Sequence, residues 1–426
     1  MNGLALMLVQ IVVIVVAGRV SGRLLARFRQ PRVIGEVMAG ILLGPSFFGH
    51  FAPQTFAALF PAASIPTLQS LSQIGLILFM FLVGLEFAPG LIRERRAGIV
   101  AISHCSIIVP FLLGLALAPY LYARVSEPTV VFRGFALFLG TAMSITAFPV
   151  LARILEERNL LRTRMGNTAI ACAAVDDVTA WCILAAVVMI VRAGDAMQLT
   201  VNIALVAVYV AVLIKGVRPL LKRVLDSEAA RRTSGEAVLA GVLLVVLASA
   251  FVTEILGIHA LFGAFIIGAI MPREAPLRES LVAQVRGLTS VLFLPLFFAV
   301  TGLRCNIGLL DGPALWLCCA LVLAVAIAGK LGGAMISARF VGFSWREASV
   351  IGVLMNTRGL MEMVVLNIGL DIGVVSRSLF TMIVIMALVT TAMAAPLLDR
   401  LLEPAVQLED AGEGPGQGEQ DRELAL

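Results

Sequence analysis

Asp176 and Asp177 lie side by side in the run AIACAAVDDVTAWCILAAVVMIV, residues 169–191. Ionisable groups in so apolar a stretch are costly and mark a pathway, a pair or a site. Two adjacent carboxylates at low dielectric resist joint ionisation, and their protonation is coupled to each other and to any cation present. Competition between protons and a monovalent cation for one carboxylate is exchange chemistry without further machinery. The blander reading is an Asp pair used in helix packing or capping.

Other residues could complete such a site. Lys330 sits in ALVLAVAIAGKLGGAMISA beside Gly329, Gly332 and Gly333, which let helices approach closely. A lysine so deep needs a partner, and one of the two aspartates is the obvious choice; snorkelling to the nearer membrane face is the alternative. In FALFLGTAMSITAFPVLARIL, Thr141, Ser144 and Thr146 precede Pro149, which disturbs the turn before it. Freed carbonyls and hydroxyls there suit a small dehydrated cation, although hydroxyls and proline also occur in ordinary spans. In SVIGVLMNTRGLMEMVVLNIGL, Asn356, Thr357 and Gly359 are poor helix formers and predict a second break. Arg358 and Glu362 are spaced to pair if the helix resumes. Arg358 could also compensate helix ends where two broken spans cross, a structural electrostatic role rather than direct transport.

Glu36 and Glu86 lie near the ends of their spans and either line an entry funnel or mark the interface. His104 and His259 have no metal-ligand company, and the six cysteines, mostly in apolar runs, read as small core hydrophobes. The metal expected here is a monovalent cation at the aspartate pair. No cofactor is implied, and no nucleophile triad, metal cluster or phosphate loop supports an enzyme.

The elements that hold these residues are membrane helices. Of 426 residues, 60% are hydrophobic and 14% charged, against about 25% charged in a soluble domain. The chain reads as an all-α polytopic membrane protein, and its basic loops give no reason to expect nucleic acid. Hydropathy predicts 13 transmembrane helices: 4–18, 33–48, 68–86, 98–121, 131–151, 166–191, 197–214, 236–254, 257–271, 287–303, 314–336, 347–370 and 376–396. Of the 32 Lys and Arg residues, 25 fall in one alternate set of loops and the tail and 5 in the other set, in which 49–67 has none. The positive-inside rule then puts the first residue outside and the tail in the cytoplasm. The expected location is the plasma membrane, or the inner membrane of a Gram-negative cell. An odd span count makes spans 1–6 and 8–13 opposite in orientation, which permits two inverted six-helix repeats joined by span 7. Residues 1–405 form the transporter domain, and the acidic, Gly-rich 406–426 reads as a disordered tail.

These segments resemble the monovalent cation:proton antiporters, specifically the second large branch of that superfamily. The resemblance is carried by VIGEVMAGILLGPSFFG, LILFMFLVGLEF, GTAMSITAFPVLARIL, AVDDVTAW, GIHALFGAFIIGAIMP, LPLFFAVTGL, the GK of span 11 and NTRGLMEMVVLNIGL, in that order. It implies a homodimer, with spans 1–3 and 8–10 as the dimerisation half. Spans 4–6 and 11–13 would be the transport core, with spans 5 and 12 broken and crossing near the ion. It implies that Asp177 carries cation and proton, and that Asp176 forms a salt bridge with Lys330 that breaks when the cation binds. The Asp pair with lysine is similar to electrogenic sodium/proton members. RTRMGNTAIACAAVDDVTAW is also similar to plant and fungal potassium-linked exchangers, which usually carry Asn at the position of Asp176. Two other classes stand beside this one. A sodium-coupled organic-anion symporter could share the fold, but the Asp pair would repel an anion; a channel-like or sensory protein would not couple the two ions.

Overall fold

The computed structural model describes residues 3–28, 30–86, 96–161, 163–193, 196–226, 235–272 and 278–412. All the long elements are helices. Helices α1 (Gly3–Ala26), α2 (Arg32–Leu43), α3 (Phe48–Phe51), α4 (Pro53–Leu59) and α5 (Ile65–Glu86) come first. Then follow α6 (Arg96–Val125), α7 (Phe132–Ser144), α8 (Phe148–Glu157), α9 (Arg164–Arg192), α10 (Ala196–Val212) and α11 (Arg218–Asp226). The remainder is α12 (Gly235–Ile255), α13 (Ala260–Ile270), α14 (Arg278–Leu288), α15 (Leu294–Arg304), α16 (Pro313–Phe340), α17 (Trp345–Met355), α18 (Leu360–Asp371) and α19 (Arg377–Gly412).

Among the described residues, eleven helical stretches are long and apolar enough to cross a membrane, and the pair α17/α18 forms one more, bent by 42° at its break. Helix α13 has only 11 residues, roughly 16 Å of rise, which is half a bilayer core. The first span is longer than its hydropathy suggests: α1 carries Arg19 and Arg23 into its last turns, where long cationic side chains reach water while their stems cover apolar surface. The last helix runs to Gly412, so the first part of the segment expected to be disordered from 406 is helical; 413–426 lies outside the described residues.

Helices pack in two groups. In one, α2 lies against α1 and α15, while α5 lies against α13 and α15, and α13 against α12. In the other, α6 packs on α7, α9 and α16, α17 on α9 and α16, and α19 on α16, α17 and α18. Small residues set the tightest approaches: a Cβ at Gly84 of α5 would strike the Phe265 carbonyl oxygen, and one at Gly268 of α13 would strike that of Phe81. With lipid outside, such close van der Waals packing, not apolar burial alone, holds helices together. The groups meet along a seam where α15 touches α18 and α2 touches α19.

Candidate ion site at two helix breaks

Two spans are interrupted in the second group. Helix α7 ends at Ser144 and α8 starts at Phe148, with Pro149 in its first turn, where no backbone donor is needed. Helix α17 ends at Met355 and α18 starts at Leu360. The breaks meet: the Ala147 N–H donates to the Thr357 carbonyl at 3.0 Å. At Gly359 a Cβ would lie 2.8 Å from Val150 Cγ2, so any larger residue would force the Val150 side chain of α8 to shift. Backbone freed within a membrane must be satisfied internally. Thr391 of α19 does this for the second break, accepting from the Arg358 N–H at 2.9 Å and donating to the Arg358 carbonyl at 2.7 Å.

Asp176 and Asp177 leave neighbouring positions of α9, about 100° apart around the helix, and meet different surroundings. Asp176 is fully buried and its carboxylate is saturated. Ser103 Oγ donates to Oδ1 at 2.5 Å, while Ser106 Oγ at 2.6 Å, Thr146 Oγ1 at 2.8 Å and Lys330 Nζ at 2.9 Å donate to Oδ2. Lys330, also fully buried, donates to the Ser144 carbonyl at 2.5 Å and the Ser106 carbonyl at 3.0 Å as well. Three acceptors meet the three donors of an ammonium. The Ser144 carbonyl is free for this because α7 stops there. Asp177, 5% exposed, has the opposite environment: its Oδ1 is buried without a hydrogen-bond partner, and the Phe148 N–H at the start of α8 faces its carboxylate. In the other break Asn356 Oδ1 is also buried without a partner. An unpartnered carboxylate oxygen on α9 facing the first break, and an unpartnered amide oxygen in the second, are groups of the kind that a dehydrated monovalent cation takes as ligands.

The remaining residues singled out in sequence divide. Thr141, Ser144 and Thr357 spend their hydroxyl protons on the Leu137, Thr141 and Leu354 carbonyls, so of that group only Thr146 gives its hydroxyl proton to a carboxylate. Arg358 caps the broken α7: Nη1 donates to the Ala142 carbonyl and Nη2 to the Met143 carbonyl, both at 2.6 Å, and Nη1 pairs with Glu362 at 2.7 Å. A cation on the last carbonyls of a helix meets the negative end of its dipole. Glu36 is half-buried amid Arg19, Arg32 and Arg153. The Glu86 side chain lies outside the described residues. His104 is exposed on α6, and His259 accepts from the Leu261 N–H at 3.4 Å as the cap of α13. All six cysteines are unpaired.

Ser103 and Ser106 are site residues that the sequence reading missed. Their signal was the segment ISHCSII, where two serines three apart share one face of an otherwise apolar span. Thr391, the clamp on the second break, had no comparable signal.

The sequence and the fold have counterparts. The chain is 42% identical over 401 residues to the Na(+)/H(+) antiporter NhaS4 of the cyanobacterium Synechocystis, covering 94% of this chain and 98% of that protein. It is 38% identical to cation/H(+) antiporter 17 of Arabidopsis thaliana and 35% identical to K(+)/H(+) antiporter 1 of Saccharomyces cerevisiae, covering 96% and 87% of this chain. It spans only 50% and 43% of those two longer proteins. The solved sodium proton antiporter MjNhaP1 of Methanocaldococcus jannaschii shares the fold, with a TM-score of 0.62 at 13% identity over 95% of this chain and 99% of that one. Residues 11–403 match the model of the transmembrane sodium/hydrogen exchangers, and the chain belongs to that family.

Proposed function

We propose that this chain, a secondary cation/proton antiporter working by alternating access, exchanges protons for sodium or potassium that compete for Asp177. The observation that carries this reading is the unequal treatment of adjacent carboxylates. Asp176 is saturated by four donors, whereas Asp177 holds an oxygen with no partner. A saturated carboxylate is a fixed charge, and an unsatisfied one is a binding group. Asp176 and Lys330 set the charge balance around Asp177, and Arg358 with Glu362 holds the crossing together.

The architecture that fits this reading has 13 spans, counting α13 and the bent α17/α18 pair with the eleven long stretches. Spans 5 and 12 hold equivalent breaks, which supports two inverted six-helix repeats. The group containing α2, α5, α13 and α15 is the dimerisation half of a homodimer, and the group containing the breaks is the moving core. The basic loops orient the chain in the plasma membrane with residue 1 outside and the tail inside. Arg304 and Asp371 then mark the outer end and Gln30 the inner end.

Proton flux in proteoliposomes, driven by sodium, potassium, lithium or rubidium with and without an imposed voltage, tests the reading. Cation-dependent flux is expected; flux that needs an organic substrate, or a rate far above carrier turnover, would move the chain to another class. Lys330→Gln is a second test. Losing the ammonium leaves Asp176 as an unpaired buried charge held by three hydroxyl donors, so the variant is expected to lose about 3–5 kcal/mol of stability, and its folded fraction to show an altered pH profile and altered charge movement per cycle. A stable Lys330→Gln protein with both unchanged would remove Lys330 from coupling.

A further inference from the structure

We propose that Arg304, Asn367 and Asp371 form a clasp that closes the outer end of the seam and opens in each transport cycle. The inference rests on the antiport reading above. Arg304 is in the last turn of α15, which packs against α1, α2 and α5. Asn367 and Asp371 are on α18, which packs against α7 and α19. The contacts form a two-rung ladder between the groups. Arg304 donates from Nη1 to Asn367 Oδ1 at 2.6 Å and pairs through Nη2 with Asp371 Oδ1 at 2.5 Å. One turn deeper, Asn367 Nδ2 donates to Thr301 Oγ1 at 2.9 Å, and Thr301 donates in turn to the Phe297 carbonyl at 2.8 Å.

Successive rungs, Arg304 with Asp371 and Thr301 with Asn367, are a helical turn apart on both helices, so a slide of one turn, about 5.4 Å, would break both pairings together. Interfaces of this kind are bistable rather than stretchable. The side chains of Arg304 and Asp371 are 16% and 34% exposed, screened enough to hold a register and wet enough to be released. Other links cluster at this end. Arg192 of α9 lies 3.6 Å from Glu254 of α12, and the Asn306 N–H donates to Thr381 Oγ1 at 3.2 Å. At the opposite end Gln30 Nε2 donates to the Ala392 carbonyl at 3.2 Å, a neutral bond. The ladder forms one wall of a narrow cavity of about 20 Å³, whose other walls include Ser72, Gln73, His259 and Val364. Opening the clasp would admit water and ions to that cavity from outside.

Ser72, 3% exposed on α5, supplies the reporter. Ser72→Cys is a near-isosteric change, and its reaction with a membrane-impermeant maleimide from the outer side can be followed by mass spectrometry at that residue. Adding Asp371→Asn is expected to raise the labelling rate about fivefold or more. The charge-swapped Arg304→Asp/Asp371→Arg protein should return it toward the parent rate. Unchanged labelling in Asp371→Asn, or faster labelling only from the cytoplasmic side, would overturn the clasp. A swap that restores nothing would overturn the pairing as its cause. Absence of cation-dependent proton flux in the parent is a separate result: it would remove the antiport reading whatever the labelling shows.

Discussion

Asp177→Asn is expected to reduce cation-dependent proton flux to the level of protein-free liposomes while leaving the fold intact. Asparagine keeps the shape and size of the side chain but loses its charge and its exchangeable carboxyl proton. A unit charge about 4 Å from a cation contributes about 4 kcal/mol at an effective dielectric of 20, which is roughly three decades of affinity. No rearrangement of neutral oxygens replaces that, because Asn356 and the freed carbonyls offer dipoles only. Folding should not suffer. Asp177 Oδ1 has no hydrogen-bond partner in the folded chain, so the substitution breaks no bond at that atom and removes a buried charge. Asp176→Asn is the informative contrast, because it weakens a carboxylate that four donors hold. Thermal unfolding in detergent should therefore rank Asp177→Asn at or above the parent and Asp176→Asn below it. Preserved flux in a folded Asp177→Asn protein would end the assignment.

That difference between neighbours shows what the sequence could and could not convey. The pair itself was legible, because two carboxylates in an apolar run are costly wherever they point. Both breaks were legible too, from Pro149 and from Asn356, Thr357 and Gly359, since these residues disfavour a continuous helix. Which aspartate is saturated was not legible from residue types. It depends on α6 bringing Ser103 and Ser106 to one side of α9 from some seventy residues away, and serine in an apolar span is too common to announce that. Where the hydroxyl protons go was hidden for the same reason: Thr141 and Ser144 donate theirs to the turn before them, as hydroxyls in membrane helices often do. The seam ladder was wholly hidden, because Arg304, Asn367 and Asp371 are ordinary polar residues near span ends until packing brings two distant helices together.

Arg358→Ala is expected to have the largest effect on stability of any change considered, with little folded protein recovered and a sharply lowered midpoint in thermal unfolding. Arg358 is 1% exposed and its guanidinium joins two helices, taking the Ala142 and Met143 carbonyls of α7 and Glu362 of α18. Removing one member of a buried pair costs about 3–5 kcal/mol, because the other charge stays behind uncompensated. Each stranded carbonyl adds about 1–3 kcal/mol. Together these approach the whole stability of a typical domain, about 5–15 kcal/mol. Arg358→Lys should recover little, since the acceptors here are placed for the two separated nitrogens of a planar guanidinium fork, which a single ammonium nitrogen does not reproduce. The double variant Arg358→Ala/Glu362→Gln separates the contributions. Neutralising Glu362 removes the orphaned charge, so the double variant should be more stable than Arg358→Ala alone. It should remain below the parent, because the end of α7 still lacks its cap. A double variant no better than the single one would mean that the helix end, not the ion pair, is what Arg358 secures. An Arg358→Ala protein as stable as the parent would mean that the crossing of the two breaks holds without either.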